Sequence, residues 1–226
     1  MKILKRAFLD TLPVLTGYLV LGFGFGIVMK SEGYGILLSL AMSALVYAGS
    51  MQYAAVGLFG AGASVLTVAM TAFMVNARHI FYGISMLDKY RGTGGVKPYL
   101  IFSLTDETYS LVSGDIDMSR EERKKYYLLV SLLDHAYWIV GTLIGALVGA
   151  LIKFNSEGIE FALTALFVTV FVNQLLTAKK YIPAIIGVGS TLLCLTVFGG
   201  ESFLIPSMIL ILVLLSVYMG VKKDEN

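Results

Sequence analysis

Three polar constellations interrupt an otherwise apolar chain, and each has residue types that could handle a small charged solute. An ionisable side chain within the hydrocarbon region of a membrane costs about 2.5–3.5 kcal/mol on insertion scales, so it faces a partner or a watery cavity. The first constellation is Tyr47-Ala48-Gly49-Ser50-Met51-Gln52-Tyr53. Its spacing predicts a helix broken or re-entrant near Gly49. The ends of two half-helices carry unpaired N–H and C=O groups, which must line a cavity or be satisfied by protein. Such N–H groups suit a carboxylate, and Ser50 and Gln52 add side-chain hydrogen bonds. A continuous helix with small residues at a packing interface is the other reading.

The second constellation is Asn76-Ala77-Arg78-His79, ending in Tyr82-Gly83. On a helix, His79 and Tyr82 continue the face of Asn76. Arg78 points elsewhere: to an acidic partner, to a substrate carboxylate, or, as an arginine near a helix end, to the interface. The third is Thr105-Asp106-Glu107-Thr108. Asp106 and Glu107 could neutralise Arg78, bind an ammonium group or carry a proton; a surface loop is the alternative. Asp134 and His135, beside Trp138, form a weaker fourth group expected near the membrane interface, where tryptophan is enriched.

These residues need a scaffold, and the composition says which kind. The chain has 226 residues, 57% hydrophobic and 14% charged, with mean hydropathy +0.81. A soluble domain uses roughly 25% charged residues to cover its surface. Breaks at glycine, proline and charge clusters divide the chain into apolar segments near 13–29, 35–59, 64–87, 98–113, 126–152, 161–178, 182–198 and 203–221. They predict an all-α, polytopic transmembrane helical bundle of about seven or eight spans in one domain over 1–226.

Lysine and arginine set orientation. Lys2, Lys5 and Arg6 place the N-terminus in the cytoplasm. Eight full spans put Arg120, Arg123, Lys124 and Lys125 inside as well. They put Lys89, Arg91 and Lys97 outside, against the rule, and one re-entrant segment would change that. A weak echo relates residues 17–33 to 141–158, which would make 13–113 and 126–221 halves of a repeat. Chance likeness of two glycine-rich helices accounts for it equally well.

Other chemistries find little support. Two histidines and one cysteine, widely separated, make no metal site, and no cofactor is implied. Gly22-Phe23-Gly24-Phe25-Gly26 lies inside an apolar span with no preceding strand, so it reads as close helix packing and not as a dinucleotide loop. A net charge of +2 is too small a bias to suggest nucleic acid. Nothing in the spacing selects an enzyme. Cys194 has no partner for a disulfide within the chain. The first apolar run is too long for a cleaved signal and reads as a retained span.

The same constellations carry a resemblance. Ser43-Ala44-Leu45-Val46-Tyr47-Ala48-Gly49-Ser50-Met51-Gln52-Tyr53-Ala54-Ala55-Val56 resembles the signature of the AzlC family, the large subunit of branched-chain amino acid exporters. Val75-Asn76-Ala77-Arg78-His79-Ile80-Phe81-Tyr82-Gly83 resembles its second motif and Thr105-Asp106-Glu107-Thr108-Tyr109 its third. Tyr137-Trp138 with Gly141-Thr142-Leu143-Ile144-Gly145 resembles a fourth. Met51 departs from the pattern, where a smaller residue, commonly alanine, is expected.

The resemblance implies a gradient-driven permease of the bacterial cytoplasmic membrane that exports leucine, isoleucine, valine or similar amino acids. It also implies a second, small AzlD-type membrane subunit and about seven spans. On this reading Gly49, Ser50, Met51, Gln52, Asn76, Arg78 and His79 bind substrate, while Asp106 or Glu107 meets the ammonium group or exchanges a proton. Tyr47, Thr105, Thr108, Tyr82 and Trp138 support them. The alternatives are another small amphipathic metabolite, such as methionine or an amino acid analogue, and a non-transporting membrane scaffold.

Overall fold

The computed structural model describes residues 2–114, 116–151, 181–200 and 203–224, with isolated positions between 168 and 176. The apolar segment at 161–178 and the repeat's landmark at 155–158 lie largely or wholly outside the described residues. All regular structure among the described residues is helical. The chain forms two compact units, Met1–Ile159 and Glu160–Asn226.

The first unit contains α1 (Lys2–Asp10), α2 (Leu12–Ser31), α3 (Ile36–Ala41), a π-helical turn (Met42–Val46), α4 (Gly49–Gly60), α5 (Val65–Asn76) and α6 (Arg78–Met86). It continues with a 3-10 turn (Gly94–Val96), α7 (Lys97–Phe102), α8 (Asp106–Val112) and α9 (Arg120–Leu151). The second unit contains α10 (Ile182–Phe198) and α11 (Leu204–Asp224). Among the described residues, α2 and α9 are long and apolar enough to cross a membrane. The stretches 36–46, 65–76, 182–198 and 209–218 are shorter apolar helices. The described helices therefore do not amount to seven or eight full-length spans.

The core of the first unit is the parallel pair α2 and α9, brought together by glycine. A Cβ on Gly22 would lie 2.8 Å from the Trp138 carbonyl oxygen, and one on Gly141 would lie 2.9 Å from the carbonyl oxygens of Tyr18 and Leu19. Gly26 meets the backbone of Thr142 and Ala146, and Gly145 meets that of Phe23. Small residues spaced by four put both backbones in contact, the packing that apolar helices use where water gives no driving force. Any side chain here would force the helices apart.

Two broken hairpins approach this pair from opposite ends. The first comprises α3, the π turn and α4. It begins beside Tyr34 and ends at Gly60, with the Tyr34 and Phe59 rings 6.2 Å apart and Gly60 near the Glu32 carboxylate. Its two feet thus share the Lys30 end of α2. The second comprises α7 and α8. Lys89 Nζ donates to the carbonyl oxygens of Ser113 at 2.6 Å and Gly114 at 2.7 Å. Buried Leu100 and Val112 pack in one cluster with Ala7, Tyr90, Tyr126 and Tyr127. Its feet share the opposite end, where α9 begins. The segments 35–59 and 98–113, counted among the spans in the sequence reading, each turn back.

That geometry also alters the sidedness of the loop at 88–97. Arg120 Nη2 donates to the Arg91 carbonyl oxygen at 3.3 Å, and a cleft is lined by Lys89, Arg91, Arg120, Arg123 and Lys124. Tyr126 donates to Asp10 Oδ2 at 2.8 Å, and the Arg6 guanidinium lies 5.9 Å from the Tyr126 ring centre. The three basic segments, at 2–6, 89–97 and 120–125, therefore meet at one end. An eight-span count had set the second of them on the other side.

Candidate functional site

The first hairpin breaks at Tyr47–Ala48, between the π turn and α4. Tyr47 has φ 46° and ψ 45°, left-handed values that a bulky residue adopts only under constraint. The constraint is aromatic packing: its ring centre lies 4.3 Å from His135, 6.3 Å from Phe102 and 6.4 Å from Tyr18. Gly49 does not supply the left-handed turn. It opens α4, and a Cβ there would sit 2.9 Å from Trp138 Cη2. The glycine thus seats the indole against the start of α4.

A buried hydrogen-bond chain ties this tip to α9. Trp138 Nε1 donates to Gln52 Oε1 at 3.0 Å, Gln52 Nε2 donates to Ser43 Oγ at 3.2 Å, and Ser43 Oγ lies 2.8 Å from Thr142 Oγ1. An indole N–H can only donate, so it fixes which way the Gln52 amide points. Gln52, Ser43 and Thr142 are fully buried. The ring of Trp138 is also buried, 5.4 Å from Tyr18 and 6.5 Å from Phe25. Asp134 and His135 were expected near the membrane interface because of it. Instead it anchors the interior, and Asp134 is fully buried one turn below.

The second hairpin breaks at 103–105. Thr105 is extended and caps α8, its Oγ1 accepting the Thr108 N–H at 3.2 Å. Around that cap the Tyr18 hydroxyl lies 2.7 Å from both Thr105 Oγ1 and Glu107 Oε2. Thr105 Oγ1 is 3.1 Å from Thr108 Oγ1, which donates to Asp134 Oδ2 at 2.7 Å. Tyr99 from α7 adds a contact between its hydroxyl and His135 Nδ1 at 3.1 Å. The two tips therefore converge on α2 and on one stripe of α9, Asp134, Trp138 and Thr142, spaced by four.

Both broken-helix tips and the α9 stripe between them lie within a stretch that matches one protein family. Residues 13–152 match the AzlC protein family. The chain belongs to the AzlC family. The branched-chain amino acid transport protein AzlC of Bacillus subtilis is 41% identical over 94% of this chain and 84% of its own length. An uncharacterized membrane protein of Haemophilus influenzae is 39% identical over 98% of this chain and 91% of its own length. The inner membrane protein YgaZ of Escherichia coli is 26% identical over 75% and 70%. No solved structure matches the chain. With its apolar helices and membrane relatives, this AzlC chain is a membrane protein.

Of the AzlC motif residues singled out in the sequence, Tyr47, Gly49, Gln52, Thr105, Glu107, Thr108 and Trp138 come together at the two tips. Met51 is buried on α4, Ser50 is half-buried beside it, and Asp106 is half-buried at the start of α8. Asn76 and His79 sit at a third break, between α5 and α6, with His79 Nδ1 3.2 Å from the Asn76 carbonyl oxygen. Tyr82 stacks on Tyr109 of α8 at 4.6 Å. Arg78 opens α6, and its side chain lies outside the described residues. Tyr18 stands in none of the quoted motifs, Ser43 and Thr142 stand in the first and fourth without a role of their own, and Asp134 belongs to the weaker fourth group. The spacing of Asp134 and Thr142 from Trp138 along an apolar helix was the signal available for two of the four.

Proposed function

We propose that this chain is the large subunit of a gradient-driven secondary transporter that exports branched-chain or related apolar amino acids. It acts with a small AzlD-type membrane subunit, as a single membrane domain of the bacterial cytoplasmic membrane. Membership of the AzlC family supports a membrane transport role, and the Bacillus subtilis relative's name supports the substrate class. The observation that carries the reading is the convergence of two broken hairpins, entering from opposite ends, on a buried polar centre. Unwound backbone is tolerated at depth where it lines a cavity or a site.

On this reading the start of α4 receives the substrate carboxylate, with Ser50 and Met51 beside it, because the first N–H groups of a helix carry partial positive charge. Tyr47 and Met51 offer the apolar wall for a branched side chain. Asp106 and Glu107 face the ammonium group or take part in coupling. Asn76, Arg78 and His79 organise the other break. The end that gathers the basic segments is cytoplasmic, by the excess of lysine and arginine on that face.

The test is efflux of labelled leucine from vesicles carrying this chain, with and without the small subunit, beside Arg78→Ala and Glu107→Gln. Gradient-dependent efflux, weakened in both variants, is the expected result. No efflux with the partner present would remove leucine from the reading and send the search to methionine and other amphipathic solutes.

A further inference from the structure

The polar centre contains a continuous path of hydroxyl groups with a carboxyl at each end. It runs Glu107 Oε2, Tyr18 OH, Thr105 Oγ1, Thr108 Oγ1, Asp134 Oδ2, with separations of 2.7, 2.7, 3.1 and 2.7 Å. Every step lies within hydrogen-bond distance. The path crosses three elements, α2, the second hairpin and α9, and all its members are buried except half-buried Glu107.

Counting hydrogens decides what the path can hold. Each hydroxyl has one hydrogen to donate. Three hydroxyls supply three hydrogens for four links. The Thr108 N–H occupies the second acceptor position of Thr105 Oγ1 and supplies no link along the path. With both carboxyls ionised, one link would have two oxygens facing each other at about 3 Å with no hydrogen between them, a repulsion that a buried, weakly polarisable site does not screen. One extra hydrogen completes the path. If Glu107 holds it, every hydroxyl points toward Asp134; if Asp134 holds it, every hydroxyl points toward Glu107.

A second observation marks the Asp134 end. Asp134 is fully buried, and its Oδ1 has no hydrogen-bond partner among the described residues. A buried oxygen without a partner is tolerated far better on a neutral acid than on a carboxylate. The titratable groups that act on the path are Tyr47 from the first hairpin, Tyr99 from α7 and Tyr126 from α9; His135, next to Asp134 in sequence, meets the Tyr99 hydroxyl, and Asp106 is the sequence neighbour of Glu107.

We propose that Glu107 and Asp134 share a single proton, passed between them through Tyr18, Thr105 and Thr108, which makes Asp134 a proton-binding residue of this protein. In the transfer, the Glu107 O–H bond breaks as its hydrogen joins Tyr18. Tyr18 gives its own hydrogen to Thr105, Thr105 to Thr108, and Thr108 to Asp134 Oδ2. Each hydroxyl ends with one hydrogen, the two carboxyls exchange charge, and no electron changes owner. Half-buried Glu107 is the end open to exchange and Asp134 the enclosed end. This deepens the transport reading, since it names the proton as the coupling ion; it rests on that reading for the use of the proton, not for its place.

Infrared difference spectroscopy on the purified full chain at neutral pH, in light and heavy water, reads protonated carboxyls by their C=O stretch. Wild type is expected to show one such band. Glu107→Gln and Asp134→Asn are each expected to abolish it, because an amide N–H at either end supplies the missing hydrogen and leaves the other carboxyl ionised. An isolated protonated Asp134 would keep its band in Glu107→Gln, and that result overturns the proposal. So does the absence of any band in wild type, which needs no variant to fold. The leucine efflux assay run on the same preparations separates the two readings. With the small subunit added, the expected bands without efflux remove leucine from the transport reading and leave the shared proton standing, whereas efflux without the bands overturns the shared proton and leaves transport standing.

Discussion

The tips of the two hairpins reach the same stripe of α9 by different chemistry. At the first, Trp138 fills the space left by Gly49 and hands a fixed pattern of hydrogen bonds to Gln52, Ser43 and Thr142. No group along that chain titrates, and the tryptophan N–H fixes the direction of the amide. At the second, the helix cap is itself a link in a path that ends in two carboxyls. Its hydroxyls can reverse, since each serves as donor or acceptor. One tip is therefore set by shape and a one-way donor, and the other is free to change its proton arrangement without moving heavy atoms.

The largest effect that would break this contrast is expected at Gly49. Gly49→Val places carbon atoms against Trp138, whose ring is held by Tyr18, Phe25 and Gln52 and has nowhere to go. Overpacking of this kind costs about 1–3 kcal/mol or more. Thermal unfolding of the detergent-solubilised protein should show a large fall in Tm, and pairing the change with Trp138→Phe should recover part of it. Additive losses would mean that the indole does not fill the site as described.

The next effect belongs to the second tip. Thr108→Val keeps the shape but strips Asp134 Oδ2 of its donor and Thr105 of its acceptor, at a cost of about 1–3 kcal/mol. Thr108→Ser keeps the hydroxyl and should retain most of the stability. Equal losses in the two variants would trace the effect to the missing methyl group. Gln52→Leu, at the first tip, leaves the Trp138 N–H and Ser43 without their amide partner. A drop of about 1–2 kcal/mol is expected, with the pH dependence of Tm unchanged because no titrating group is lost. A shifted pH profile in Gln52→Leu would join the two tips into one network and end the distinction drawn between them.

How much of this could be read from the chain alone differs between the elements. Composition and run length made the all-α class plain, and the boundaries of 182–198 were legible to the residue. The break near Gly49 was legible as well, though for a different reason: the left-handed residue is Tyr47, and glycine is needed for the indole. Hydropathy could not distinguish a span from a hairpin at 35–59, an apolar run as long as a span; at 98–113 the pair Asp106 and Glu107 interrupts the run without saying that it turns back. The return is set by contacts such as Lys89 to Ser113, far apart in sequence. Tyr18 was invisible for the same reason. A tyrosine in an apolar helix signals nothing until Thr105 and Glu107 arrive beside it.

The smallest effect serves as the reference for the second tip. Ser64 caps α5 as Thr105 caps α8, each side-chain oxygen accepting the N–H three residues on, at 3.1 and 3.2 Å. Ser64 is exposed and has no tie to either hairpin tip. Ser64→Ala should therefore lose a cap and an exposed contact with Thr67 Oγ1 at 2.9 Å, about 0.5–1 kcal/mol. Thr105→Ala loses the same cap and also the middle of the path from Tyr18 to Thr108. If that path is formed, Thr105→Ala must cost clearly more than Ser64→Ala in the same unfolding assay, and Thr105→Ser must recover the difference. Equal costs would reduce Thr105 to an ordinary helix cap and would leave the tips distinguished by Trp138 alone.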